Sequence, residues 1–246
     1  MTTTTANGGL SASDACVHCG PADGVKRSSS LPMPKVVSAE DWSVARRALL
    51  AKEKEATKLL DRLAAERRRL PIVRVAADYM FDGANGRRSL VELFEGRRQL
   101  IIYHFMYAPE DDTPCPGCSR RMDDVGQLHH LNARDTTFAV VAGSPYERLA
   151  ALWSRKRWTM PVWSFGDSRF NADMGIGDHD FGISVFLRDD ACGVYRSYFT
   201  DGRGVEPSGF RALLDMTPYG RQEDWEDSPL GWPQTPTHGW GSDRDE

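Results

Sequence analysis

Cys115 and Cys118, in the run CPGC, are the residues of this sequence best spaced for chemistry. Two cysteines separated by two residues lie about one helical turn apart. One thiolate can attack an electrophile and the other can resolve the resulting mixed disulfide or sulfenic acid. Zinc sites use the same spacing, but a structural zinc normally takes four ligands, typically from a second Cys or His pair. If a helix starts here, its unpaired N–H groups and dipole favour a thiolate at its first residue, so Cys115 is the expected nucleophile and Cys118 the resolving thiol. Arg120 and Arg121 add positive charge nearby.

Other residues offer weaker signals. His104 lies within the apolar run QLIIYHFMY, and strand alternation puts it on one face with Ile102 and Met106, near the end that leads toward Cys115. A neutral imidazole there can take the cysteine proton or coordinate a metal, and the alternative is a core histidine bonded to a carbonyl. His129 and His130 fall about 18 Å along a helix begun at Cys118, too far for direct partnership. The tail run CVHC places Cys16, His18 and Cys19 together, either as soft ligands or as incidental residues. Tyr107, Trp158 and Trp163 can line an apolar pocket or simply fill the core, and Asp123 and Asp124 read as a solvated helix face.

The elements that must position these residues follow from composition. With 246 residues, the chain has room for one domain of about 170 residues with appendages. Hydrophobic residues make up 40% and charged ones 27%, and a net charge of -4 gives no long-range attraction to nucleic acid. No apolar run reaches the roughly 20 residues that span a bilayer, and the opening residues lack the basic and apolar segments of a secretion signal. The expected location is the cytoplasm, without a membrane partner. Cysteines are kept reduced there, so the five in this chain point to catalysis or metal binding before a disulfide scaffold.

Residues 1–34 are rich in Thr, Ser, Gly and Pro and read as a disordered tail. Residues 35–70 carry a helix opened by the capping run SAED, with Trp42, Ala45, Leu49, Ala56, Leu60 and Leu63 on one stripe. That stripe is expected to dock on the domain, or else on a second copy as a homodimer. Residues 71–220 alternate strands and helices: IVRVAADYMF, a turn at DGANG, a short helix after Ser89 and the buried strand 99–107. A helix over 118–131 and the strand TTFAVVAG complete a right-handed crossover unit. Next come a helix capped by Ser144 with Pro145 in its first turn, a short strand MPVWSF, a hairpin turning near Asp190 and Gly193, and a helix over 207–216. Residues 221–246 read as an extended tail whose Trp side chains pack on the domain.

A CxxC between a buried strand and a helix is the context expected for thioredoxin-like chemistry. From DWSVARRALLAKEKEATKLLDRLAAERRRLP through HFMYAPEDDTPCPGCS, LHHLNARDTTFAVVAGSP, GISVFLRD and DMTPYGRQEDWE, the chain resembles the bacterial thioredoxin-like family catalogued as domain of unknown function 899. The resemblance covers about residues 36 to 227. It implies a thioredoxin-like, or peroxiredoxin-like, α/β fold: a central mixed sheet flanked by helices, with an N-terminal helical extension.

Two departures from better-known relatives stand out. Pro109 and Thr113 keep the peroxiredoxin spacing, but Cys115 arrives one residue early and Pro116 takes the peroxidatic place. Thioredoxins place a cis-proline opposite their cysteines, and Gly182 to Val185 contain none, which is expected to open space beside the sulfurs. GDHDFGISVFLRDD resembles the Asp-His segment of Sco copper chaperones, with His179 on the histidine. Three readings stay open: an oxidoreductase acting through Cys115 and Cys118 with a cellular reductant and a small-molecule substrate; a copper protein using Cys115, Cys118 and His179 or His104, with Met106 as a weak contact; and an interaction module with inert thiols.

Overall fold

The computed structural model describes residues 32–76, 78–177, 180–201, 223–232, 234 and 236. Ser38 caps the first helix, α1 (Ala39–Arg67), by accepting a hydrogen bond from the Asp41 N–H at 3.0 Å. A strand β1 (Val73–Val75) follows, then the hairpin β2 (Met80–Gly83) and β3 (Gly86–Ser89) around the expected turn. The short helix after Ser89 is a 3-10 turn, Glu92–Phe94. Ser89 and Glu92 bond each other's backbone N–H reciprocally, at 2.7 and 3.4 Å.

The centre of the molecule is built from β4 (Gln99–His104), α2 (Pro116–Asp123), α3 (His129–Asn132), β5 (Thr136–Ala142), α4 (Tyr146–Lys156), β6 (Val162–Ser164), α5 (Phe170–Asp173), β7 (Gly182–Arg188) and β8 (Val194–Asp201). Eight strands form one sheet in the order β1-β8-β7-β4-β5-β6-β2-β3. β5 is parallel to β4 and β6 to β5, while β7 pairs antiparallel with β4 and with β8. A parallel crossover on one side of β4 and an antiparallel hairpin on the other is the thioredoxin-like core, so the fold is the expected α/β class. It has a helical extension at its N-terminal side.

β4 is central because its residues are buried on both faces. One apolar cluster gathers Phe81, Phe94, Leu100, Ile102, Phe170 and Phe186. The other gathers Tyr103, Phe105, Cys118, Met122, Leu149 and Trp153.

Several local expectations change. The helix expected over 118–131 is two pieces, because N–H groups of Asp124 and Val125 bond back only three residues and close α2 before Gly126. Ser144 does not cap α4; Pro145 stands at that position with no side-chain bond, and the Ser144 N–H donates to the Tyr107 carbonyl at 2.8 Å. α5 was not expected; the Ser168 hydroxyl accepts from the Phe170 N–H at its start, at 3.3 Å. The apolar stripe of α1 is not docked on the domain. None of that helix's residues is buried: Ser43 and Arg46 near its start and Ala64, Ala65 and Arg67 at its C-terminal end are half-buried, and the rest are exposed. Arg67 there lies over the Tyr198 ring at 5.3 Å, so the helix is held at its last turn and its earlier turns face solvent. The expected helix over 207–216 and the CVHC run lie outside the described residues. Near the C-terminus the Trp225 indole N–H donates to Glu223 at 2.6 Å, while its side chain stays exposed. Among the described residues no helix is long and apolar enough to cross a membrane.

Candidate active site

The loop between β4 and α2 folds back on itself. The Phe105 N–H extends the sheet by donating to the Val141 carbonyl at 2.8 Å. The Asp111 carboxylate accepts from the Ala108 N–H at 2.7 Å, making a tight turn. Arg148 in α4 clamps that turn: its guanidinium donates to the Pro109 carbonyl at 2.7 Å, the Asp111 carbonyl at 2.5 Å and the Tyr107 hydroxyl at 2.9 Å, and lies 4.7 Å from the Tyr107 ring centre. The Cys115 N–H then donates to the Met106 carbonyl at 3.1 Å, which returns the chain to the end of the strand.

Cys115 occupies the capping position of α2, and Pro116 is the first helical residue. The Cys115 carbonyl accepts from both the N–H and the hydroxyl of Ser119, at 2.9 and 3.0 Å. Cys115 is partly exposed, whereas Cys118, one turn further in, is only 1% exposed. A hydrogen bond to the Cys115 sulfur, then burial, pushes the Cys118 thiol well above the usual range. The Tyr103 hydroxyl donates to the Cys118 sulfur at 3.3 Å, and the Met106 backbone N–H also bonds it; both pull the other way. Burial, with the nearby Cys118 charge, holds the Tyr103 hydroxyl protonated far above its ordinary range. In this arrangement the Tyr103 hydroxyl is a hydrogen-bond donor to the Cys118 sulfur.

His104 is not where the sequence suggested. It follows Tyr103 on β4, so its side chain enters the opposite face of the sheet. Its Nδ1 lies 2.8 Å from Asn171 Oδ1 and its Nε2 2.8 Å from Ser184 Oγ, with the ring stacked on Phe170 at 5.7 Å. Fully buried and doubly partnered, it has no free nitrogen for a sulfur proton or for a metal on the cysteine side. His179, like Asp178, lies outside the described residues. Among the described residues no three His, Cys, Asp or Glu side chains gather as a metal-binding group.

The remaining candidates separate. Tyr107 is tied up with Arg148, as above. Trp158 meets Trp153 at 4.8 Å and Phe105 at 6.1 Å, both edge-on, and donates to Asp123 at 2.7 Å, so that carboxylate anchors an aromatic cluster beside α2. Trp163 packs with the other cluster, where its ring covers Gly83 so closely that a Cβ on that glycine would lie 2.2 Å away. His129 and His130 begin α3, with ring centres 3.8 Å apart. No peptide among the described residues is cis. β7 starts at Gly182, where an added Cβ would meet Ile176 at 2.9 Å and Phe199 at 3.0 Å. The apolar cluster that takes in both cysteines also takes in Phe181 and Ile183, so that flank is packed despite the missing proline. Tyr103, Arg148 and Phe181 escaped the sequence reading. An open groove of about 760 Å³ beside β2 and α5, walled by Tyr79, Asp82, Arg87, Asp167, Arg169 and Asp173, contains neither cysteine.

A family model described as "Bacterial protein of unknown function (DUF899)" matches residues 31–245. No curated protein matches the sequence. Similar solved structures include peroxidoxin BcpB from Mycobacterium tuberculosis, at 16% identity over 51% of this chain and 82% of that one, with a TM-score of 0.37. A putative thiol:disulfide interchange protein DsbE from Chlorobium tepidum is 16% identical over 58% of this chain and 93% of its own, with a TM-score of 0.39. Peroxiredoxin Q from Xanthomonas campestris is 14% identical over 52% and 88%, with a TM-score of 0.39.

Proposed function

The chain belongs to the bacterial DUF899 family, whose description assigns no reaction, and from the site itself we propose that it is a thiol–disulfide oxidoreductase with Cys115 as nucleophile and Cys118 as resolving thiol. The observation that carries this reading is the asymmetry of the two sulfurs: one partly exposed at a helix start, the other buried one turn in and held by hydrogen bonds from Tyr103 and Met106.

In the first step the Cys115 thiolate attacks one sulfur of a substrate disulfide. A Cys115–substrate bond forms, the substrate's S–S bond breaks, and the departing thiolate takes a proton from solvent. In the second step the Cys118 sulfur attacks the Cys115 sulfur and releases the second substrate thiol, which carries away the proton lost by Cys118. The protein ends as a Cys115–Cys118 disulfide, two electrons having passed to the substrate, and a cellular dithiol restores it. Tyr103 contributes in the second step, when its O–H···S bond offsets part of the penalty for charge on a buried sulfur. A disulfide fits better than a peroxide because Pro116 fills the peroxidatic place of the peroxiredoxin pattern, and Arg148, bonded to Pro109, Asp111 and Tyr107, is committed to the loop.

Mixing the reduced Cys118→Ser protein with glutathione disulfide tests the assignment. Trapped glutathione on Cys115 by mass spectrometry is the expected result, whereas the wild type releases it and forms the internal disulfide. Faster labelling of Cys118 than of Cys115 in the wild type would reverse the roles.

A further inference from the structure

The exposed stripe of α1 has a heptad order. Trp42, Leu49, Ala56 and Leu63 recur every seven residues, and Ala45, Lys52 and Leu59 stand three residues after the first three of them. Trp42, Leu49 and Leu59 are 62%, 53% and 49% exposed, a row of large apolar side chains left facing solvent on a helix of 29 residues. Charged residues line both flanks: Asp41 and Arg62 on one, Arg46 and Glu53 on the other.

We propose that α1 pairs antiparallel with α1 of a second copy of this chain, in a register that sets Trp42 against Leu59, Ala45 against Ala56 and Leu49 against Lys52. The charges select this arrangement among those that keep the seam together. In this register Asp41 faces Arg62 of the second copy and Arg46 faces Glu53, each pair occurring twice by symmetry. Sliding by one heptad sets Glu53 against Glu53 and Glu55 against Glu55. A parallel pair stacks Lys52 on Lys52 in the seam and places Arg62 beside Arg67. A parallel pair also sets Asp41 beside Arg46, but the antiparallel register centred between Leu50 and Ala51 has opposite charges at both flanks and no like-charged pair, with the Lys52 stem lying over Leu49 and its ammonium reaching outward. The small Ala45–Ala56 layers let the backbones approach, and the seam from Trp42 to Leu59 is about 26 Å long. Among the described residues, Arg67 at the end of α1 lies over Tyr198 of the sheet, whereas the seam residues Trp42, Leu49 and Leu59 lie in earlier turns and are exposed.

The test uses the full-length protein under reducing conditions. Sedimentation velocity is expected to show a dimer, and Trp42→Ala is expected to give a monomer with unchanged helix content by circular dichroism. Arg46→Glu should weaken association about tenfold, and Arg46→Glu with Glu53→Arg should restore it. Arg46 and Glu53 also bond within one helix, at 2.9 Å, so orientation needs its own readout. In an Ala45→Cys, Ala56→Cys protein, oxidation and peptide mapping should link position 45 to position 56 of another chain. A wild type that stays monomeric at every soluble concentration, or crosslinks joining 45 to 45 and 56 to 56, overturns the proposal.

Discussion

Tyr103 and His104 are neighbours on the same strand, both essentially inaccessible to water, and each carries a polar ring into an apolar cluster. On Tyr103's side the hydroxyl meets a sulfur that also bonds a second thiol, so the polar group serves atoms able to change oxidation state. On His104's side both ring nitrogens end on neutral partners, Asn171 from α5 and Ser184 from β7, and the polar atoms satisfy one another. Equal burial thus produces two roles: an imidazole that binds three elements together, and a phenol that stabilises charge on sulfur. Burial makes a polar group consequential, but its partner decides whether the consequence is stability or reactivity.

The sharpest way to break this contrast is His104→Ala. Removing a buried ring and stranding Asn171 and Ser184 should lower stability by about 3 to 4 kcal/mol in urea unfolding followed by tryptophan fluorescence, while the alkylation rate of Cys115 in the folded protein stays as it was. A fall in thiol reactivity without loss of fold would return His104 to the active site. A slightly smaller effect is expected from pH. Burial first, with the Arg196 charge adding to it and the Asn171 bond opposing it, pushes His104 down from 6.5 to about 4. The unfolded chain therefore binds the proton more tightly than the native one. This stability is fully present above pH 6.5 and is lost as pH falls toward 4, by about 3 kcal/mol. Urea titrations across that window should show the slope, and His104→Gln should flatten it.

Tyr103→Phe is the smallest change and the most specific. It removes one O–H···S bond and should lower stability by only about 1 kcal/mol, yet slow release of glutathione from the mixed disulfide about tenfold. Thiolate absorbance followed against pH should show the buried sulfur ionising at still higher pH. An unaltered release rate would mean that Tyr103 is as purely structural as His104.

Much of the central unit was legible because its signals are local. The apolar run ending in β4, the Pro-containing start of α2 and the buried β5 strand each announce themselves over a few residues, and they place Cys115 and Cys118 correctly between strand and helix. Alternation also separates Tyr103 from His104. It does not say which face α2 will cover, and that depends on the crossover between β4 and β5 and on packing by residues far along the chain, such as Leu149 and Trp153. His104 was therefore credited to the wrong side and Tyr103 overlooked. Arg148 was hidden for a related reason: its acceptors at Pro109 and Asp111 are backbone carbonyls, which leave no mark on sequence. α1 forms where its capping run opens it, but the exposure of its apolar residues was not legible, since periodicity reports a face without naming what covers it.

The Arg148 clamp carries an evolutionary consequence. Because it grips main-chain oxygens, it constrains how many residues lie between β4 and Cys115 far more than which residues they are. An insertion between Ala108 and Pro114 would pull a carbonyl out of reach, whereas Glu110 and Asp112, both exposed, can exchange charge freely. Related sequences should therefore vary in composition but not in length across this loop. The rim around the reactive sulfur could then diverge toward new substrates while the sulfur itself stays in place.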